Sequence, residues 1–149
     1  MAQKTFPSEE FKSLKWLAGS WKGIAVNVGN VPFYEAWRWV NDSTLANLAI
    51  EIKNGDTAIS ESNALHLRNG FIRLGKKPSD WVASRLFPNE LVLRNDSLPY
   101  SNTIIWLHTK DDHWFTILEH PKSSVYYDMT RDLPLDRKVD AWLGERRKK

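Results

Sequence analysis

From Ser20 to Arg131 apolar and polar residues alternate with a period of two, and turn-forming residues interrupt the alternation at short intervals. This alternation marks half-buried strands, because successive side chains on a strand point to opposite faces. Ten strands are predicted, over 20–28, 31–40, 44–53, 57–68, 71–75, 81–86, 91–95, 102–110, 113–119 and 123–131. The predicted turns fall at Gly29-Asn30, Asn54-Gly55, Asn69-Gly70, Pro88-Asn89, Asp111-Asp112 and Pro121-Lys122. Two of these are Asn-Gly, whose residues both accept the positive φ that a two-residue hairpin demands. Pro32 falls near a strand start, where a missing N–H is tolerated. Strands joined by short turns, with no crossover between them, predict an all-β fold: an antiparallel up-and-down barrel of about ten strands rather than a sandwich.

Two segments leave this period. Ser8 follows Pro7 and offers an N-cap, and Glu9 and Glu10 place carboxylates in the first turn, where the helix dipole favours them. Phe11, Leu14, Leu17 and Ala18 then recur at helical spacing up to Gly19. The expectation is a short helix of about three turns acting as a lid or plug. Residues 134–147 predict a second helix. Pro134 suits its first turn, and Val139, Trp142 and Leu143 form a narrow apolar stripe able to dock on the barrel. No repeat or linker divides the chain, so a single domain over 1–149 is expected, with the barrel over about 20–131.

Composition narrows the chemistry. The chain has 149 residues and no cysteine, which excludes disulfide scaffolds, thiolate metal sites and thiol catalysis. No apolar run is long enough for a membrane-spanning helix. The formal net charge is +3, but Arg146, Arg147, Lys148 and Lys149 are the last four residues, and without them acidic side chains outnumber basic ones. The basic character therefore belongs to the tail, and nucleic-acid binding by the body is not expected. Met1-Ala2-Gln3-Lys4 lacks the apolar core of a signal peptide. Ala2-Gln3 is compatible with the scar of a removed one, which would make the protein periplasmic or secreted, and otherwise it would be cytoplasmic.

The unusual residue is tryptophan, present eight times. Trp21, Gly23, Ala25 and Asn27 share one face of the first strand, a large ring with small neighbours that either leaves open volume or simply plugs the core. Phe33, Glu35, Trp37 and Trp39 share a face of the second strand. If that face points inward, Glu35 is a buried acid that needs a partner. Arg73 and Arg85 alternate with aromatics, as Phe71-x-Arg73 and Trp81-x-Ala83-x-Arg85, and either could pair with Glu35 or Glu61. The alternative puts these charges outside and leaves the aromatics half exposed. His66, His108, His113 and His120 show no metal-ligand spacing, and no nucleophile or phosphate-loop motif occurs, so no metal and no cofactor is expected.

The most specific string is Trp16-Leu17-Ala18-Gly19-Ser20-Trp21-Lys22-Gly23. It resembles the opening of lipocalin-like (calycin) barrels, and more closely a family of bacterial lipocalin-like domains of unknown function. The likeness continues at Glu35-x-Trp37, Ser43-Thr44-Leu45, the Glu61 strand, and Asn95 through Ile104-Ile105-Trp106. Where that family carries a His-Asp-Phe-Pro-like stretch, this chain has Leu98-Pro99-Tyr100-Ser101. The chain is also similar, more distantly, to nitrobindin-like barrels, which hold haem by a late histidine; His120 lies in that region without a residue-by-residue match. The resemblance implies a calycin barrel with a cavity, and an arginine of the last strand, here Arg131, covering Trp21 in a structural role.

The expected function is non-catalytic binding of a small, largely hydrophobic ligand in the barrel, by a monomer or homodimer. Phe33, Trp37, Trp39 and Trp106 would supply the apolar wall, and Glu35, Glu61 and Arg73 would orient a polar group. Two alternatives stand beside it: a barrel enzyme using a buried glutamate as general acid/base on a small aromatic substrate, and haem binding.

Overall fold

The ten strands form in the computed structural model of the chain, which describes residues 4–26, 29, 31–75, 80–99 and 102–147. They are β1 (Gly19–Ala25), β2 (Pro32–Asn41), β3 (Thr44–Lys53), β4 (Asp56–Arg68), β5 (Phe71–Leu74), β6 (Trp81–Phe87), β7 (Glu90–Arg94), β8 (Thr103–Lys110), β9 (His113–Glu119) and β10 (Val125–Arg131). Each strand pairs antiparallel with its sequence neighbours, and β1 pairs with β10. The sheet therefore closes on itself, which removes the free edges that an open sheet must protect. Both Asn-Gly turns adopt the expected left-handed pair, with φ of 52° and 83° at Asn54 and Gly55, and 54° and 84° at Asn69 and Gly70. β1 spans Gly19–Ala25, short of the expected 28, and the chain turns at Val26, whose N–H still donates to Tyr126 O of β10 at 2.9 Å. Asn27, Asn30, Tyr100 and Ser101 lie outside the described residues.

The N-terminal segment departs from its expected form. It is a short helix, α1 (Ser8–Lys12), followed by a 3-10 turn over Ser13–Leu17. Pro7 rather than Ser8 holds the cap position, and no side chain caps the helix. The reason for the tighter winding lies in the spacing of the apolar residues. Phe11, Leu14 and Leu17, all fully buried, recur every three residues, and a 3-10 helix with three residues per turn stacks them on one line. Ser13 Oγ also donates to Glu10 O at 2.6 Å, a local bond that competes with the α-helical ladder. These three side chains enter one end of the barrel and close it, packing with Trp21, Leu45, Leu65, Leu91 and Trp114.

The C-terminal helix, α2 (Leu133–Arg147), begins where Asp132 Oδ1 accepts the Leu135 N–H at 3.0 Å. Its stripe of Val139, Trp142 and Leu143 gains Leu135 and docks on the outer face of the sheet, against Ala36 and Leu48. Among the described residues no helix is long and apolar enough to cross a membrane.

An ion network locks α2 to the barrel. Asp136 lies between Arg131 Nε at 2.9 Å and Arg38 Nη2 at 3.0 Å, and the Arg131 guanidinium stands 5.9 Å from the Trp21 ring centre. The Trp21–Arg131 contact is thus part of the frame. Burial by itself raises the Asp136 carboxyl. The hydrogen bonds from Arg131 and Ser20 and the charges of Arg131 and Arg38 outweigh it and hold the group below its ordinary 3.8. A lowered folded-state pKa means that this contribution is fully present above about pH 3.8 and is lost as pH falls through the folded value. Asp136→Asn should cost about 2 kcal/mol at pH 7, less than the ~3–5 kcal/mol of a fully buried pair because the Arg131 side chain is 34% exposed. Urea unfolding below pH 4 should show a shallower acid dependence in this variant than in the wild type.

Candidate functional site

Strand β2 sets the interior. Phe33, Glu35, Trp37 and Trp39 alternate with Tyr34, Ala36 and Arg38, and since the second set lies under α2 or pairs with it, the first points into the barrel. Small residues stand beside this row: Gly23 opposite Phe33, Gly19 opposite Trp37, and Ala49 opposite Glu35. They leave the volume that the large rings occupy and the space above them.

The closed half of the barrel is filled by rings. Trp37 packs edge-to-face on Trp106 at 5.2 Å, Trp106 on Trp114 at 5.8 Å, and Trp114 on Trp21 at 5.9 Å. Trp16 adds a tilted contact with Trp114 at 5.8 Å and stacks on His108 at 5.0 Å. Above this floor lies a cavity of about 420 Å³, lined by side chains from seven strands. Phe33, Trp37, Trp106 and Tyr127 form its aromatic wall, with Phe33 edge-to-face on Tyr127 at 5.3 Å. Its polar lining is Glu35, Asn47, Ser62, Asn63, Thr116 and the Tyr127 hydroxyl. A second hollow, of about 660 Å³, lies outside the plugged end among Lys12, Lys15, Trp16, His108 and Asp111. Its lining includes four charged side chains, Glu9, Lys12, Lys15 and Asp111, and it lies outside the barrel.

Glu35 is the chemically distinctive group. Its Oε1 accepts the Trp37 indole N–H at 3.3 Å, and its Oε2 accepts the Asn47 amide at 3.4 Å. Among the described residues no cation forms an ion pair with it. Burial pushes its carboxyl above the ordinary 4.5, and the two hydrogen bonds pull the other way without cancelling the shift. With a raised folded-state pKa, ionisation of Glu35 opposes folding. The penalty is complete above the folded value and disappears as pH falls through it toward about 4.5. Stability should therefore rise on mild acidification from pH 8 to pH 5, and Glu35→Gln should remove that rise and stabilise the protein by about 1 kcal/mol at pH 8. Thermal unfolding of both proteins across this range measures it.

Of the residues singled out in the sequence, Phe33, Glu35, Trp37 and Trp106 meet in the cavity. Three do not. Trp39 points inward but sits at the plug, edge-to-face on Phe11 at 5.7 Å. Glu61 is on the outer face, opposite Leu48, and bonds Arg146 at 2.7 Å. Arg73 lies between the inward Ile72 and Leu74, so it projects outward, its guanidinium 5.6 Å from the Phe71 ring. Arg85 is likewise outside, 3.5 Å from Glu90, because a bulge between Ala83 and Arg85 breaks the alternation. None of these arginines reaches Glu35. His120 lies beyond β9, its Nδ1 accepting the Lys122 N–H at 3.1 Å, and it does not line the cavity.

Asn47, Ser62, Asn63, Thr116 and Tyr127 line the cavity without having been singled out. Asn47 was accessible in principle, since it lies two residues from the apolar Leu45 and opposite Trp37. Ser62 and Asn63 were not. They are adjacent in sequence and both line the cavity, because the pairing of β3 with β4 shifts by one between Ala46 and Leu48. Comparison of the chain with protein-family models, curated proteins and solved structures finds no match.

Proposed function

We propose that the protein is a non-catalytic binding module, similar to lipocalin-like barrels, that holds a small, largely apolar ligand in the open half of its interior. The observation that carries this is the 420 Å³ cavity, bounded by four aromatic rings and closed below by packed tryptophans. Its size and its mixture of an apolar wall with a few polar groups suit ligand pockets, which run from about 300 to 1,000 Å³. Because Trp37 and Trp106 line it, occupancy should quench tryptophan fluorescence. Titration with the neutral probe N-phenyl-1-naphthylamine should give saturable quenching, and Thr116→Trp, which fills the cavity, should abolish it. A linear, non-saturating response unchanged by that substitution overturns the proposal. Native mass spectrometry before and after denaturation would identify a ligand that co-purifies.

A catalytic reading draws on one observation, the raised Glu35 carboxyl in an apolar pocket, which is how general acids and bases are tuned. On that reading Glu35→Gln abolishes turnover of a small aromatic substrate and leaves its affinity within a few fold. Glu61 has no part in it, since its carboxylate is outside the barrel.

A further inference from the structure

We infer that the ligand of this cavity is an organic cation: an aryl or alkyl group bearing a protonated or quaternary ammonium, its positive end set against Glu35 among Phe33, Trp37, Trp106 and Tyr127. The inference rests on the pocket reading above and narrows it to one charge class.

The first argument is the charge inventory. Among the described residues, the ionisable side chains that line the cavity are Glu35 and Tyr127, and neither can be a cation. A carboxylate or phosphate ligand would meet the charge of Glu35 with no basic group among the described lining residues to receive it. The second is the contrast between Asp136, the buried acid of the ion network, and the half-buried Glu35 of the cavity. Asp136 has two guanidinium partners, at 2.9 and 3.0 Å. Glu35 has hydrogen-bond donors at both oxygens, which suits an ionised carboxylate, but no counter-ion among the described residues. A buried ionised group without a partner is costly, and a neutral apolar ligand would raise that cost by removing the remaining water. A cationic ligand supplies the missing charge.

The third argument is the wall. Four aromatic rings bound the same space as the carboxylate, in two pairs whose planes stand at 67° and 87°. Ring faces carry negative potential and attract ammonium groups, most strongly where water is excluded. Carboxylate and rings therefore select the same ligand charge independently.

The test uses three probes of one shape on the intact protein: phenethyltrimethylammonium, its neutral carbon isostere 3,3-dimethylbutylbenzene, and the anion 4-phenylbutyrate. Affinities are read by tryptophan quenching at pH 8. The cation should bind at least about tenfold more tightly than the neutral isostere, and the anion more weakly than either. Glu35→Gln should bring the cation down to the neutral isostere's affinity and should not weaken binding of the neutral isostere, which no longer has a charge to desolvate. A neutral isostere that binds as tightly as the cation, or an anion that binds best, overturns the charge class and leaves the pocket standing. If none of the three binds while the naphthyl probe still does, the inference alone fails. If the naphthyl probe also fails to bind, both fall.

Discussion

Trp114→Ala should lower the unfolding free energy by about 4 kcal/mol, within the 3–5 kcal/mol range for truncating a buried large aromatic. Trp114 is fully buried and touches three other tryptophans, Trp16, Trp21 and Trp106, at ring separations between 5.8 and 5.9 Å. Alanine would leave a void between the plug and the cavity floor, and the Trp21 and Trp106 rings belong to strands locked by barrel closure, so they cannot collapse into it. Since domains of this kind are stable by about 5–15 kcal/mol, the loss is a large fraction of the whole. Trp114→Phe should cost far less, about 1–2 kcal/mol. The Trp114 indole N–H has no hydrogen-bond partner among the described residues, so phenylalanine forfeits no such bond. Urea unfolding of the two variants checks this, and an alanine cost below 1 kcal/mol would mean that the ring chain does not hold the core.

Gly23→Ala is expected to act on both stability and ligand binding. A methyl group at this position would stand 2.3 Å from two atoms of the Phe33 ring and 2.7 Å from Met129 Sδ. Those separations lie inside van der Waals contact, so Phe33 must turn or shift. Its ring lines the cavity and packs on Tyr127, and the displacement is carried into the pocket wall. The expected cost is about 1–3 kcal/mol, with a loss of naphthyl-probe affinity of about tenfold. Gly55→Ala separates the two effects. Its φ of 83° disfavours alanine, but nothing lies within 4 Å of the added carbon and the turn is remote from the cavity lining. It should cost about 1 kcal/mol and leave probe affinity unchanged. Equal affinity losses in both variants would show that general destabilisation, rather than the Phe33 contact, weakens binding.

Most of the fold was legible because its signals are local. Alternation places side chains on two faces without reference to anything distant, and Asn-Gly carries its own turn geometry. Strands β3 and β9 appear over the expected residues, and the other boundaries shift by only a few. The plug was legible as an apolar segment but not as a 3-10 turn, although the spacing of Phe11, Leu14 and Leu17 contained that information. The candidate site was legible mainly along β2, where Phe33, Glu35 and Trp37 share one face, with Trp106 of β8 the one further residue. Across the barrel, local alternation misleads. One-residue shifts near Ser62 and Arg85 reverse which side chains face inward, and nothing in the neighbouring residues announces them.

By itself, then, the chain determined the number and type of elements, the turns between them, and a second strand that carries aromatic rings and an acid on one face. Tertiary structure decided which acid is enclosed. Glu35 points into the barrel because β2 lies with its other face under α2, while Glu61, on a neighbouring part of the sheet, pairs with Arg146 of that same helix outside. It also decided that the interior is half solid and half open, since that follows from which end the plug enters and how four tryptophans from different strands meet one another and Trp16 of the plug. These are non-local outcomes: they depend on closure of β1 onto β10 and on the register of every pair between, and no stretch of sequence contains them.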